Sequence, residues 1–174
     1  SSYFRLATRP IDQQLAAVPK DPEERERRRR LALAGGYPLR VSDAAPRLTL
    51  VGAGAIMPEL LHAADDLAAD DIPCDVVCLT SADLVFRAVQ ARQGLADGDY
   101  SILDALFPPD RAAPIVSVLD GHPHTLSFLS AIRRTPIASL GVDDFGQSGD
   151  VDDLYKAFGI DTDTIVGAAA DLLD

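Results

Sequence analysis

The chain has 174 residues, of which 47% are apolar, and a formal net charge of −11 from 16 Lys and Arg against 27 Asp and Glu. This length suits one domain with a sizeable core, and the apolar share argues against a disordered chain. The acidic balance argues against nucleic acid and anionic membranes as partners, because their phosphates would repel such a surface.

In chain order, residues 3–8 alternate aromatic or aliphatic with polar side chains and meet Pro10, which predicts a short strand ended by proline. Residues 19–30, "PKDPEERERRRR", predict a solvated, arm-like helix, since Glu and Arg favour helix and neutralise each other at three and four residues' spacing. The run Gly35-Gly36-Tyr37-Pro38 reads as its stop, and the boundary of a denser region falls near Pro46.

From there the pattern is regular. "RLTLVGAG" predicts a strand, and residues 58–70 predict a helix with Leu60, Leu61, Ala64 and Leu67 on one face. "IPCDVVCLT" is a second strand, and Ser81 caps a helix that stops at Gly94. "ILDALFPP" is a short helical turn, "APIVSVLDG" a strand buried on both faces, "HTLSFLSAIRR" a helix and "TPIASLG" a strand. Two closing helices follow, in "DDLYKAFG" and "DTIVGAAADLL". Such alternation implies an α/β fold: a three-layer α/β/α domain with a mainly parallel sheet, preceded by a strand and a helical arm.

The two cysteines, Cys74 and Cys78, fall on one strand about 13 Å apart, too far for a disulfide, so nothing points to an oxidising compartment. No signal peptide or apolar run of transmembrane length stands out, and the expected location is the cytosol. The chain starts without Met and with a strand under way, as expected of the tail of something longer.

Several motifs invite chemistry. Gly52-Ala53-Gly54 follows a strand, but the third glycine of a dinucleotide fingerprint should fall where Met57 stands, and no acidic residue ends the next strand. A tight turn with close backbone approach explains both glycines. No Gly-Lys-Ser/Thr phosphate loop and no Gly-x-Ser-x-Gly nucleophile elbow occurs. The arginine run is interleaved with Glu23, Glu24 and Glu26 and lacks stacking aromatics, which favours a solvated helix or a protein-contact arm over a nucleic-acid site.

Asp120, His122 and His124 lie at the end of a buried strand, where open α/β sheets keep their ligand crevices, and they are the best local candidate for a small anion or a metal. Zinc would need a third ligand, and the remaining histidine is His62, on a helix. The competing reading is that these histidines cap the following helix. Residues 139–161, "SLGVDDFGQSGDVDDLYKAFGID", look like a metal loop but lack the alternation and the closing Glu of calcium ligation. Their aspartates read better as helix starts, with Ser148 or Asp150 as a cap and Asp152 and Asp153 in the first turn.

"SYFRLATRPIDQ", "VGAGAIMPELLHAADDLAADDIPCDVVCLTSADLVFRAVQARQG", "VLDGHPHTLSFLSAI" and "SLGVDDFGQSGDVDDLYKAFGID", in that order, resemble the carboxy-terminal region of the thiamine-diphosphate-dependent transketolase family. The long basic arm, residues 23–37, is most similar to that of the single-chain pyruvate dehydrogenase decarboxylating component within it. The resemblance implies three parts. Residues 1–18 would hold the last strand of a preceding pyrimidine-binding domain, 19–46 a charged helical linker, and 47–174 the carboxy-terminal α/β domain.

It further implies a structural and dimerisation domain of a thiamine-diphosphate-dependent pyruvate dehydrogenase component, without catalytic residues, cofactor site or metal site of its own. Thiamine diphosphate and magnesium would be held by the missing amino-terminal domains of the parent; the Gly-Asp-Gly run and following Asn expected for them are absent here. A homodimer and a lipoyl acyltransferase component are the implied partners. The alternative is the tail of a transketolase or related sugar-phosphate enzyme, in which Arg9, in "ATRPI", resembles a sugar-phosphate ligand. A free-standing small-ligand or metal-binding module at Asp120, His122 and His124 is the reading from another class.

Overall fold

The computed structural model describes residues 10–174; the strand expected over residues 3–8 and Arg9 lie outside the described residues. A 3₁₀ turn, Gln13–Ala16, comes first, opened by Asp12, whose carboxylate accepts from the Gln14 N–H at 2.9 Å. Helix α1, Pro22–Ala34, follows. Asp21 caps it, accepting from the N–H groups of Glu23 and Glu24 at 3.0 and 2.9 Å, with Pro22 in its first turn. No residue of α1 is buried, in keeping with the solvated helix expected from its Glu and Arg pattern, although Leu31 near its end packs against the core.

The run read as a stop does end α1, with Gly35 as its C-cap, but from Gly36 onward it is also a strand. β1, Gly36–Arg40, runs antiparallel to β3, Cys74–Leu79, at one edge of a five-stranded sheet. Proline masks it in the sequence, yet Pro38 costs an edge strand little, because its missing N–H need not enter a ladder. The register shifts between Pro38 and Arg40, the irregularity expected beside such a residue.

β2, Leu48–Ala53, β4, Ile115–Leu119, and β5, Ile137–Gly141, complete the sheet in the order β1-β3-β2-β4-β5, with every pair parallel except β1 and β3. The expected mainly parallel α/β architecture is present. Side chains alternate across each strand, so one apolar sequence feeds two cores. Leu50, Val76 and Val118 meet α2, Met57–Ala69, and α7, Thr162–Leu173, through Leu60, Leu67 and Ile165. On the other face Val51, Val77 and Ile115 meet α3, Ala82–Arg92, and α4, Ser101–Leu106, through Val85, Val89 and Leu103.

The helix expected over "HTLSFLSAIRR" is mostly a 3₁₀ helix, Pro123–Leu129, continued by one α-helical turn, α5, Ser130–Arg133. In a 3₁₀ helix residues three apart eclipse one another. That geometry stacks the fully buried Leu126 and Leu129 above the buried Ile132 on the sheet-facing side, which an α-helix of this length would fan out. α6, Val151–Ala157, is capped by Asp150, which accepts from the Asp152 N–H at 3.2 Å, with Asp152 and Asp153 in its first turn as the helix dipole favours. Gly159 then takes φ +62 and ends the turn ahead of α7.

Away from the carboxyl ends of the strands, a partly buried ion pair ties down the β1–β2 connection. Asp75, on β3, accepts from Arg111 Nε at 2.9 Å and Nη2 at 2.8 Å and from the Ser42 N–H at 2.9 Å. Arg111 Nη2 also donates to the carbonyls of Ser42 and Ala44 at 2.9 and 3.1 Å. Three chain segments thus meet on one carboxylate.

Candidate functional site

β2 is the first of the parallel strands, with β3 on one side of it and β4 on the other. The chain therefore reverses its winding at β2, and the carboxyl ends of β2 and β4 frame the switch point where open sheets hold ligands. The loop after β4 stands there, and a mainly apolar groove lies on the other side of β2, between β2, β3 and the segment ahead of α1.

The loop carries the residues singled out from the sequence. Asp120, His122 and His124 are all exposed, and the two imidazoles lie edge to face with centroids 5.7 Å apart. His122 Nδ1 accepts from the His124 N–H at 3.3 Å, so His122 caps the 3₁₀ helix behind it. The loop is held from below, because the Gly121 carbonyl accepts from the Val142 N–H at 2.8 Å where β5 ends. His62 stands exposed on α2, and among the described residues no group of three His, Cys, Asp or Glu side chains could hold a metal ion. Sequence reasoning placed the three residues on one loop; the structure brings two imidazoles together there and adds no enclosing wall.

Of the two glycines expected to serve a tight turn with close approach, Gly52, inside β2, meets crowding and Gly54 meets only the turn, with open space around its absent Cβ. A Cβ on Gly52 would lie 2.9 and 3.0 Å from the Leu60 methyls and 3.2 Å from Met57 Sδ, and Gly54 takes φ +73 to turn the chain into α2.

The groove has a volume of about 480 Å³. Ile11 and Leu15 form one wall, Met57 and Leu61 the other, and Tyr37 and Cys78 are strand residues that line it from β1 and β3. Arg28 organises its rim. From α1 its Nη1 donates to the carbonyls of Ala16 and Ala17 at 2.7 and 2.8 Å, and its guanidinium stacks 5.0 Å from the centroid of the Tyr37 ring. Ala17 takes the left-handed conformation, φ 43, where both carbonyls accept from the same Nη1. The Thr80 hydroxyl donates to the Ala32 carbonyl at 2.5 Å and ties the far end of α1 to the end of β3.

Burial pushes the Tyr37 phenol up to about 12, with the neighbouring Cys78 adding to the shift. Burial likewise raises the Cys78 thiol. Both stay protonated at neutral pH, so from the strands the groove offers apolar contact and weak donors, and the one carboxylate that lines it, Asp12, is engaged as the cap of the Gln13–Ala16 turn. Sequence reasoning missed Arg28, Tyr37 and Cys78: five arginines in six positions look alike until one is seen to turn inward, and Tyr37 lay in the run read as a stop.

Burial also pushes the Cys74 thiol, on the same strand, up from 9.0 to about 11. The unfolded chain therefore loses this proton first as pH rises, and the associated stability is complete below pH 9 and lost as pH climbs through 11. Unfolding free energy measured in urea should fall over that window by on the order of 2 kcal/mol more in the parent chain than in Cys74→Ala. Equal slopes for the two would refute the assignment.

The family model of the transketolase-like TK C-terminal domain matches residues 35–161. The chromosomal transketolase of Cupriavidus necator is 32% identical over 154 residues, which are 88% of this chain and 21% of that protein. A transketolase from Pichia stipitis, solved in complex with xylulose 5-phosphate, superimposes with a TM-score of 0.60 at 20% identity, covering 83% of this chain and 18% of that one. A split-gene transketolase, described as an inactive β4 tetramer, superimposes with a TM-score of 0.54 at 18% identity, covering 80% and 42%. The chain thus spans about a fifth of the length of the curated relatives it matches.

Proposed function

Because the chain belongs to the transketolase-like C-terminal domain family, we propose that it is the carboxy-terminal part of a thiamine-diphosphate-dependent transketolase-type enzyme acting on ketose phosphates, and that it supplies scaffold and subunit contacts in place of catalytic groups. The match over residues 35–161 carries this reading. The relatives are named transketolases, which supports the sugar-phosphate alternative better than the pyruvate dehydrogenase reading that the basic arm suggested. The lipoyl acyltransferase partner belonged to the pyruvate reading alone and is not proposed.

The three-part division of the chain is also a proposal. The pairing of β1 with β3 favours drawing the start of the carboxy-terminal domain at Gly35 instead of Pro46. Thiamine diphosphate and magnesium would belong to the longer enzyme. The donor set here does not fit them: the groove is lined mainly by apolar side chains, with Asp12 as its one carboxylate and no basic side chain to meet a diphosphate, and the described residues hold no three-ligand metal group. Self-association is proposed as well; the β4 assembly described for the split-gene relative supports it for a chain that lacks the rest of the enzyme.

The test compares the 174-residue chain with the longer polypeptide recovered from the upstream coding sequence. The longer protein should transfer a two-carbon unit from a ketose phosphate and leave pyruvate untouched, while the short chain should show no thiamine diphosphate binding by calorimetry with magnesium. In the longer protein, Arg9→Gln should raise KM for the ketose phosphate by roughly tenfold with a smaller change in kcat, the mark of a lost phosphate contact. Turnover of pyruvate by the longer protein would refute the substrate class, and micromolar cofactor binding by the short chain would refute the division of labour.

A further inference from the structure

We infer that the loop after β5, residues 142–150, docks through Phe145 into the groove between α1, α3 and α4 of a second copy of this chain. This contact rests on the self-association proposed above and is the surface through which it occurs.

The groove is the first observation. It has a volume of about 560 Å³ and an apolar floor that includes Leu31 and Ala34 from α1, Leu84 from α3 and Ile102 from α4. Arg30 and Arg87 line it from the two longer helices, whereas Asp97 and Asp99 come from the segment ahead of α4. Asp99 is already engaged, accepting from the N–H and the hydroxyl of Ser101 at 2.8 Å each, and Arg87 pairs with Asp83 at 3.0 Å. Arg30 stands apart: among the described residues Arg25, Arg28 and Arg29 donate to nearby oxygens, and the Arg30 side chain donates to none.

The second is the loop. Phe145 is 89% exposed, more than any other large apolar side chain among the described residues. Residues 143–150 are exposed throughout, and Asp143, Asp144 and Asp150 flank the ring with no basic residue among them. A ring held this far into water is a large apolar area without cover, and aromatic side chains are the anchors that gain most from entering a partner's pocket.

Charge and position bring the two together. At −11 per chain two copies repel at long range, so a stable contact has to set acidic residues against the basic surface of α1, where five of the six positions from Arg25 to Arg30 are arginine. An aspartate-flanked ring entering beside the unpaired Arg30 meets that need. The loop follows β5 at one edge of the sheet while α1 and α4 pack against β1 at the other, so four strand spacings of about 4.8 Å keep a chain's own loop from its own groove. The contact therefore joins unlike patches of two copies, a geometry that closes into a ring or extends from copy to copy.

Sedimentation equilibrium of the 174-residue chain beside Phe145→Ser and Arg30→Glu reads the contact. Both side chains are exposed, so each variant should keep the parent's circular dichroism and urea midpoint. Each should raise the dissociation constant of self-association by roughly tenfold or more, as loss of an anchor or reversal of the charge facing it does. Asp97→Asn, which removes a carboxylate from the groove, should lower it by about threefold. An equimolar mixture of Phe145→Ser and Arg30→Glu should form dimers at close to the parent's affinity, because one supplies an intact groove and the other an intact loop.

Association unchanged in both variants would overturn the inference and leave self-association standing. A parent chain that stays monomeric at roughly millimolar concentration would overturn both and leave the family assignment untouched. A mixture that remains monomeric would show that loop and groove do not meet, and weaker association in Asp97→Asn would show that the occupant is not acidic; either result overturns the contact. Loss of association in Arg30→Glu with Phe145→Ser unaffected would give the groove to another occupant and overturn it as well.

Discussion

Gly141→Ala should cost the chain about 3 kcal/mol of unfolding free energy, equivalent to a melting temperature roughly 6–12 °C lower for a protein of this size. The reason is local and steric. A Cβ at this position would lie 2.4 Å from the Gly121 carbonyl oxygen, 2.8 Å from the Pro123 nitrogen and 2.9 Å from Pro123 Cδ. The first two are backbone atoms, and the Gly121 carbonyl is held by the Val142 N–H at 2.8 Å, so relief requires the β4 loop and the end of β5 to part. The same change should shift the His122 and His124 imidazole resonances, because their loop is the part that must move.

Gly167→Ala is the matched control. Gly167 lies inside α7 with nothing near its absent Cβ, so alanine there should stabilise by roughly 0.5–1 kcal/mol through helix propensity alone. Chemical denaturation of the two variants beside the parent decides the matter. A cost below 1 kcal/mol for Gly141→Ala would mean that the loop yields freely, and the close approach of the two strand ends would lose its significance.

The second large effect is expected at the partly buried Asp75–Arg111 pair. Asp75→Ala should cost about 2–4 kcal/mol, because it strands a guanidinium whose side chain is only 22% exposed and removes the acceptor of the Ser42 N–H. Arg111→Met should cost less, since methionine can fill the space and the carboxylate keeps the Ser42 N–H, whereas the Ser42 and Ala44 carbonyls can turn to water. The double variant should cost clearly less than the sum of the two, giving a coupling of about 1–3 kcal/mol in urea denaturation. Strict additivity would show that the two groups act separately, contrary to the bidentate geometry.

Both effects lie at junctions between segments distant in sequence, which is why neither residue stood out beforehand. Gly141 read simply as the end of a strand, and nothing in the residues around Arg111 singles it out from other loop arginines. Each gains its importance from a contact across 20 or 36 positions, Gly141 with Gly121 and Asp75 with Arg111.

Much of the fold was legible in the residues alone, for a physical reason. A strand buried on both faces must be largely apolar, so "LTLVGA", "CDVVCL" and "IVSVL" announce themselves despite Thr49, Asp75 and Ser117, and Ser81 and Asp150 cap helices through their own side chains. These signals are local, and local chemistry suffices to read them. The family could be recognised for the same reason, since its marks are turns and caps held in short stretches.

Tertiary structure alone decided the rest. β1 contains proline and is partly exposed, so only its pairing with β3 makes it a strand. Arg28 sits among equivalent arginines and acquires a role only because the Ala16 and Ala17 carbonyls and Tyr37 meet around it. His122 and His124 promised chemistry by residue type, and the fold left them on an exposed loop, while an open, mainly apolar groove formed on the other side of β2 from residues that nothing in the sequence had drawn together. Sequence determines what a segment can become on its own; which groups converge depends on distances that exist only once the sheet is assembled.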